Sequence, residues 1–378
     1  MKKRDLLVFA GQSNMMGAAV FPPRIDVVLK DSYEYKHNKK RIGAERGEFV
    51  SEAYPCGEFS YTEEALKLAY LPENLDENQV SKLDKYTANT YFCPAMCNLK
   101  NEETHEQYSF DYFSESTLHR GGPTLAPLFA AEWEAKGHSC AYAHIAKGGV
   151  AITHYFSGEM IKEHDLLVEE YNKTHSEQLP LIVNEREMWS GASAYFDRKV
   201  KDFFAEAEEK FEGEDLSNRI FVWCQGESDA PYSKDRYKLK LEVLWNHMRK
   251  LGFTHFFCVR VGYWPITTVT NNIHAIMQAQ EEFCREHDDC YIITRAMSRM
   301  SAKNLVGTGW FTEEPGEKYL YCRDNYYGFV NPHINEKGFS VIAKAMADNA
   351  ERVLVYNEKP ILEKEIVAKI IEEYGEEN

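Results

Sequence analysis

The chain has 378 residues, 44% of them hydrophobic, a composition that supports a substantial globular core. Its formal charge of −16 argues against a nucleic-acid partner, whose phosphates it would repel, and against docking on an anionic membrane. The first apolar run, Leu6 to Ala10, is too short for a secretory core, and no stretch approaches the ~18 apolar residues of a membrane span, so a soluble, cytoplasmic protein is expected.

That first run, LLVFA, reads as a strand buried on both faces, the pattern of a parallel sheet, and it is closed by Gly11. Ser13 follows at its carboxyl end, with Asn14 to Gly17 as the first turn of a helix. A serine there is either a helix cap or a nucleophile, because ligands of open α/β sheets bind at that edge.

The next clear strand begins only at Cys140, whereas a βαβ unit takes roughly 30 residues. An insertion is therefore expected over about 24–120, rich in Tyr, Lys, Glu and Asn and weakly periodic. It reads as an excursion over the carboxyl edge of the sheet, helical near Tyr61 to Tyr70.

Beyond it, Leu125, Leu128, Phe129 and Trp133 recur at helical spacing and stop at Gly137. Strands are expected at Cys140 to Ala146, Arg219 to Cys224, His255 to Val261 and Cys290 to Thr294. Between them, helical patterns run through Tyr195 to Phe211, Tyr237 to Leu251 and Ile273 to Cys284, and a last one through Phe339 to Val353. The alternation predicts a central parallel sheet of about five strands with helices on both faces. One domain, 1–356, is expected, followed over 357–378 by an amphipathic acidic helix that packs on the domain or serves a homo-oligomer contact.

Nine cysteines, an odd number, suggest reduced thiols. Cys93, Cys97 and His105, and Cys284, His287 and Cys290, are incomplete as metal sets, and ordinary burial explains the second group better. Neither a metal nor a cofactor is expected.

Three further stretches lie just beyond expected strands or before the last helix: AKGGVAI with Gly148 and Gly149, WCQGESDA with Gln225, Glu227 and Asp229, and NPHINEKG with His333. Ester hydrolysis by a serine needs an imidazole to take the hydroxyl proton, an acceptor to orient that imidazole, and preorganised donors for the oxyanion. Ser13, His333, Glu227, Gly149 and Gln225 supply each kind of group. Taken singly, His333 also fits a capping histidine, the glycines a turn, and Glu227 a buried structural carboxylate. Their joint placement favours chemistry.

On GQSNMMG (Gly11 to Gly17), GGPTLAPLFA, AKGGVAI, WCQGESDA and HINEKG, the sequence resembles the SGNH hydrolase superfamily, in its carbohydrate esterase family 6 and sialate O-acetylesterase-like branch. The resemblance implies a three-layer α/β/α, flavodoxin-like hydrolase that removes acetyl groups from sugars without a metal. It matches Ser13 to the nucleophile and His333 to the general base. The amides of Ser13 and Gly149 and the side chain of Gln225 match the oxyanion hole. Most members carry an Asp three residues before the histidine, a position held here by Val330. Glu227 is the favoured acid, Asp324 the second candidate and a backbone carbonyl the third, a dyad being the alternative.

Gln12, Asn14, Arg24 and Arg120 are candidates for substrate binding, the arginines because a sialate carboxylate is held bidentately by Arg. The expected substrate is a small acetylated sugar, either an O-acetylated sialic acid or a xylo-type saccharide. A lipid or thioester hydrolase on the same scaffold and a non-catalytic carbohydrate-binding protein are the alternatives.

Overall fold

The computed structural model describes residues 1–16, 27–36, 48–50, 53–54, 118–119, 122–123, 125–182, 193–262, 273–298 and 336–363. Its strands are β1 (Asp5–Gly11), β2 (Val27–Val28), β3 (Tyr33–Lys36), β4 (Glu48–Val50), β5 (Ala53–Tyr54), β6 (Leu118–His119), β7 (Gly122–Pro123), β8 (Cys140–Ala146), β9 (Arg219–Cys224), β10 (His255–Val259) and β11 (Cys290–Thr294). Its helices are α1 (Ser13–Met16), α2 (Leu125–Ala135), α3 (Gly158–Thr174), α4 (Ser193–Lys210), α5 (Lys234–Lys250), α6 (Ile273–Glu286) and α7 (Glu336–Leu354).

A seven-stranded sheet runs in the order β11-β10-β9-β1-β8-β3-β4, and every pairing in it is parallel except β3 with β4. Helices flank it as a three-layer α/β/α fold. Leaving out β3 and β4, the order β8-β1-β9-β10-β11 is the flavodoxin-like one, and the chain reverses direction across the sheet beside β1.

Every residue of β1 and β8 is buried, as the unbroken apolar runs require of strands covered on both faces. Full burial of Leu6, Val8 and Phe9 contributes about 1.5–3 kcal/mol each. The buried Asp5 is no exception to this economy, since Trp133 Nε1 and Asn218 Nδ2 donate to its two oxygens at 3.0 and 2.7 Å. Helices α2 and α7 pack on each other, while α5 packs on both α3 and α6.

Two features add to the expected architecture. Part of the segment expected as an insertion belongs to the sheet. Tyr33–Lys36 joins the sheet beside β8 and Glu48–Val50 pairs with it, so the sheet has two strands more than the expected five. Tyr35, Phe49, Phe203 and Phe211 cluster with ring centroids 5.0–6.0 Å apart, which anchors this extension to α4. Secondly, residues 357–363 are not helical. Asn349 bonds both the amide and the carbonyl of Ile361, and Glu363 accepts from Thr294 Oγ1 and the Arg295 amide, which holds the segment along the end of β11. The expected helix near Tyr61 to Tyr70, residues from 364 onward, and Cys93, Cys97 and His105 lie outside the described residues. Cys284 and Cys290 belong to the hydrophobic core, and His287 bonds the Glu242 carboxylate. No described helix is long and apolar enough to cross a membrane.

Candidate active site

The parallel register sets Gly11 level with Ala146 of β8 and Cys224 of β9. Ser13, Gly149 and Glu227 therefore all lie just past the carboxyl ends of three adjacent central strands, with Ser13 in the middle. The chain switches direction across the sheet beside β1, the place where ligands of open α/β sheets bind.

Gly11 makes the turn possible. Its φ is +146°, and a Cβ at this position would sit 2.0 Å from the Cys224 carbonyl oxygen. That close approach is used, because the Gln12 amide donates to the same oxygen at 3.0 Å. Tyr155 closes the other side: its phenol accepts from the Gly11 amide at 2.9 Å and donates to the Gly11 carbonyl at 2.6 Å. Beyond the turn, His144 Nε2 donates to the Met15 carbonyl at 2.8 Å, which braces α1 from β8. Ser13 is thus held on a fixed backbone and is 6% exposed.

Gly149 follows β8 in a turn, is exposed and has φ +70°; among the described residues no heavy atom lies within 4 Å of where a Cβ would stand.

Glu227 opens a 3-10 turn, Glu227–Asp229, and is buried. Asn14 Nδ2 donates to its Oε1 at 2.8 Å, while among the described residues Oε2 has no hydrogen-bond partner. Burial pushes its pKa above the ordinary carboxylate value, and the Asn14 bond opposes that rise.

Gln225 departs from the role that the resemblance implies. Its side chain is fully buried, and Nε2 lies 3.1 Å from Gln12 Oε1, 3.1 Å from the Val150 carbonyl and 2.5 Å from Asp229 Oδ2. The Val150 carbonyl and the Asp229 carboxylate can only accept, which fixes that end of the amide as nitrogen, and Tyr237 lies 2.9 Å from the other end, Oε1. An NH2 group has two hydrogens and here faces three acceptors, so none is left for an oxyanion. Gln225 is a brace between three loops.

Gln12 and Asn14 also serve internally. Gln12 Oε1 accepts from Gln225 and from the Ser228 amide, Asn14 holds Glu227, and both side chains are buried. His333, Asp324, Val330, Arg24 and Arg120 lie outside the described residues.

Sequence reasoning missed the polar layer beneath this edge. Asp229 Oδ2 accepts from Gln225 and from the Ile152 amide at 2.8 Å, and Lys240 Nζ stands 3.7 Å from Asp229 Oδ1, both side chains being fully buried. Lys240 also lies 4.0 Å from the centroid of the Tyr232 ring. The visible signal was slight: Asp229 two residues after Glu227, and Lys240 on the apolar side of α5 between Tyr237 and Leu241. Among the described residues no group of His, Cys, Asp and Glu is arranged to hold a metal.

No protein-family model matches the chain, and no curated protein matches it. Solved structures similar to it include a protein of Arabidopsis thaliana, at 11% identity and a TM-score of 0.40, covering 92% of this chain and 97% of that one. XAC1771, a carbohydrate acetylesterase from Xanthomonas citri, is similar at 12% identity and a TM-score of 0.42, covering 94% of this chain and 57% of that one. NanS is similar at 10% identity and a TM-score of 0.37, covering 92% of this chain and 96% of that one.

Proposed function

We propose that the protein is a serine esterase of the SGNH type that removes acetyl groups from a carbohydrate. The observation that carries this reading is the placement of Ser13 on a rigid turn between the Gly149 loop and the Glu227 loop, at the switch point of the parallel sheet. A merely structural cap needs neither an exposed glycine turn on one side nor a buried carboxylate on the other.

In this reading the Ser13 hydroxyl attacks the ester carbonyl and passes its proton to His333, and the amides of Ser13 and Gly149 stabilise the oxyanion. His333 returns the proton to the departing sugar hydroxyl, and water then releases acetate from Ser13 by the same steps in reverse roles. Glu227 Oε2, buried and unpartnered among the described residues, supports its role as the acceptor that orients the imidazole. The acetyl and sugar preferences rest on the resemblance of the motifs, with O-acetylated sialic acid and acetylated xylo-type saccharides as the two substrate classes. In this reading the enzyme is cytoplasmic and acts alone or as a homo-oligomer.

The test compares hydrolysis of p-nitrophenyl acetate, butyrate and octanoate by the wild type and Ser13→Ala. Acetate-selective turnover lost in the variant is expected. Preference for octanoate would point instead to a lipid hydrolase, and turnover unchanged by the substitution would remove Ser13 from the chemistry.

A further inference from the structure

Resting on the hydrolase reading, we infer that Asp229 is a positioning residue. It fixes the Gly149 turn, and hence an oxyanion donor, at a set distance from Ser13.

The Gly149 turn has no regular structure of its own, since β8 ends at Ala146 and the next element is the 3-10 turn Ile152–Tyr155. Two side-chain contacts tie this stretch to the β9 side of Ser13, and both pass through one cluster. Asp229 Oδ2 accepts from the Ile152 amide, and Gln225 Nε2, itself held by Asp229 at 2.5 Å, donates to the Val150 carbonyl. The amide and carbonyl that flank Ala151 are thereby both bonded to the loop following β9. On the far side of the same 3-10 turn, Tyr155 grips the backbone of Gly11. One short segment therefore links the Gly149 loop, the Ser13 strand and the Glu227 loop.

The carboxylate is costly to bury, yet both it and Lys240 are fully enclosed. An apolar pair of equal volume would serve packing at least as well. What an apolar pair cannot do is accept from two donors at one oxygen with a cation 3.7 Å from the other. Charge-assisted bonds are short and directional, as positioning demands. An oxyanion donor must be in place before the reaction, and a displacement of about 1 Å costs on the order of 100-fold in rate.

Two variants test this. Asp229→Asn keeps the shape and one acceptor oxygen but removes the charge, and the double variant D229L/K240M replaces the buried pair with apolar side chains of similar size. The second avoids a stranded lysine should D229N fold poorly. Circular dichroism establishes folding, and kcat and KM on p-nitrophenyl acetate are measured beside Ser13→Ala. Amide hydrogen exchange of peptides spanning 147–155 is followed in parallel.

The expected result is a kcat lowered about tenfold in D229N and about 100-fold in D229L/K240M, with KM within about twofold and faster exchange across 147–155. A folded D229L/K240M with wild-type kcat and exchange, beside an inactive S13A, would overturn the role of Asp229 alone. An S13A variant as active as the wild type would overturn the hydrolase reading itself, and with it the catalytic purpose of the turn.

Discussion

Replacing Gly11 by alanine is the sharpest structural test of how Ser13 is presented. At φ +146° an L side chain is strained, at a cost of about 1–3 kcal/mol. The added Cβ would also stand 2.0 Å from the Cys224 oxygen and 2.6 Å from its carbonyl carbon, both backbone atoms that no rotamer change can move. Relief requires β1 and β9 to part at the level where Gly11 faces Cys224, which breaks the Gln12 amide bond to the Cys224 carbonyl and removes about 1 kcal/mol more. The sum is about 3 kcal/mol or more. For a chain of this size that lowers Tm by roughly 6 °C, taking the low end of the usual conversion. Ser13 is two residues away, so its hydroxyl moves with the strand end, and esterase activity falls on the order of 100-fold. Thermal melts by circular dichroism and p-nitrophenyl acetate turnover read the two effects. A G11A protein with wild-type Tm and wild-type turnover would refute both the turn geometry and its link to Ser13.

Two further expectations come from the groups around that turn. Glu227 has its pKa raised by burial, so the folded state holds its proton more tightly than the unfolded chain does. The carboxylate therefore costs stability as pH rises from the ordinary carboxylate value, about 4.3, through the raised folded value, and Glu227→Gln is expected to gain Tm relative to the wild type over that window while losing turnover. Equal pH dependence of Tm in the two proteins, or full activity in the variant, would contradict this. Tyr155→Phe removes the hydroxyl that serves both the amide and the carbonyl of Gly11. A loss of about 1–3 kcal/mol in denaturant unfolding is expected, with a smaller activity loss than in G11A; unchanged stability would show that Gly11 does not depend on the phenol.

The central sheet was legible because strands covered on both faces leave unbroken apolar runs. Cys140–Ala146, Arg219–Cys224 and Cys290–Thr294 fall where the sequence places them. The helices with wide apolar faces, such as Ser193–Lys210 and Lys234–Lys250, were legible through their periodicity. Helix α3 was not, since only Met160, His164 and Val168 of its residues are buried, a stripe too thin to stand out. Strand β3 and the edge strand β4 are only four and three residues long and carry charged residues, so their pattern resembles a loop. The placement of Ser13, Gly149 and Glu227 past the ends of β1, β8 and β9 was legible from the strands that precede them. The work done by Gln225 was not legible, because an amide that donates to an oxyanion and one that braces loops look alike until its acceptors are in view. Asp229 and Lys240 were missed for a related reason: their partnership spans 11 positions and exists only once β9 and α5 pack together.

The most direct measurement is the site of covalent modification by a phosphonate ester, which reacts with an activated nucleophile such as a catalytic serine and leaves a stable adduct of fixed mass. Peptide mass spectrometry after labelling is predicted to place one phosphonyl group on Ser13, with labelling slowed in His333→Ala and abolished in Ser13→Ala. Failure to label, or an adduct on another residue that persists in Ser13→Ala, would contradict the account.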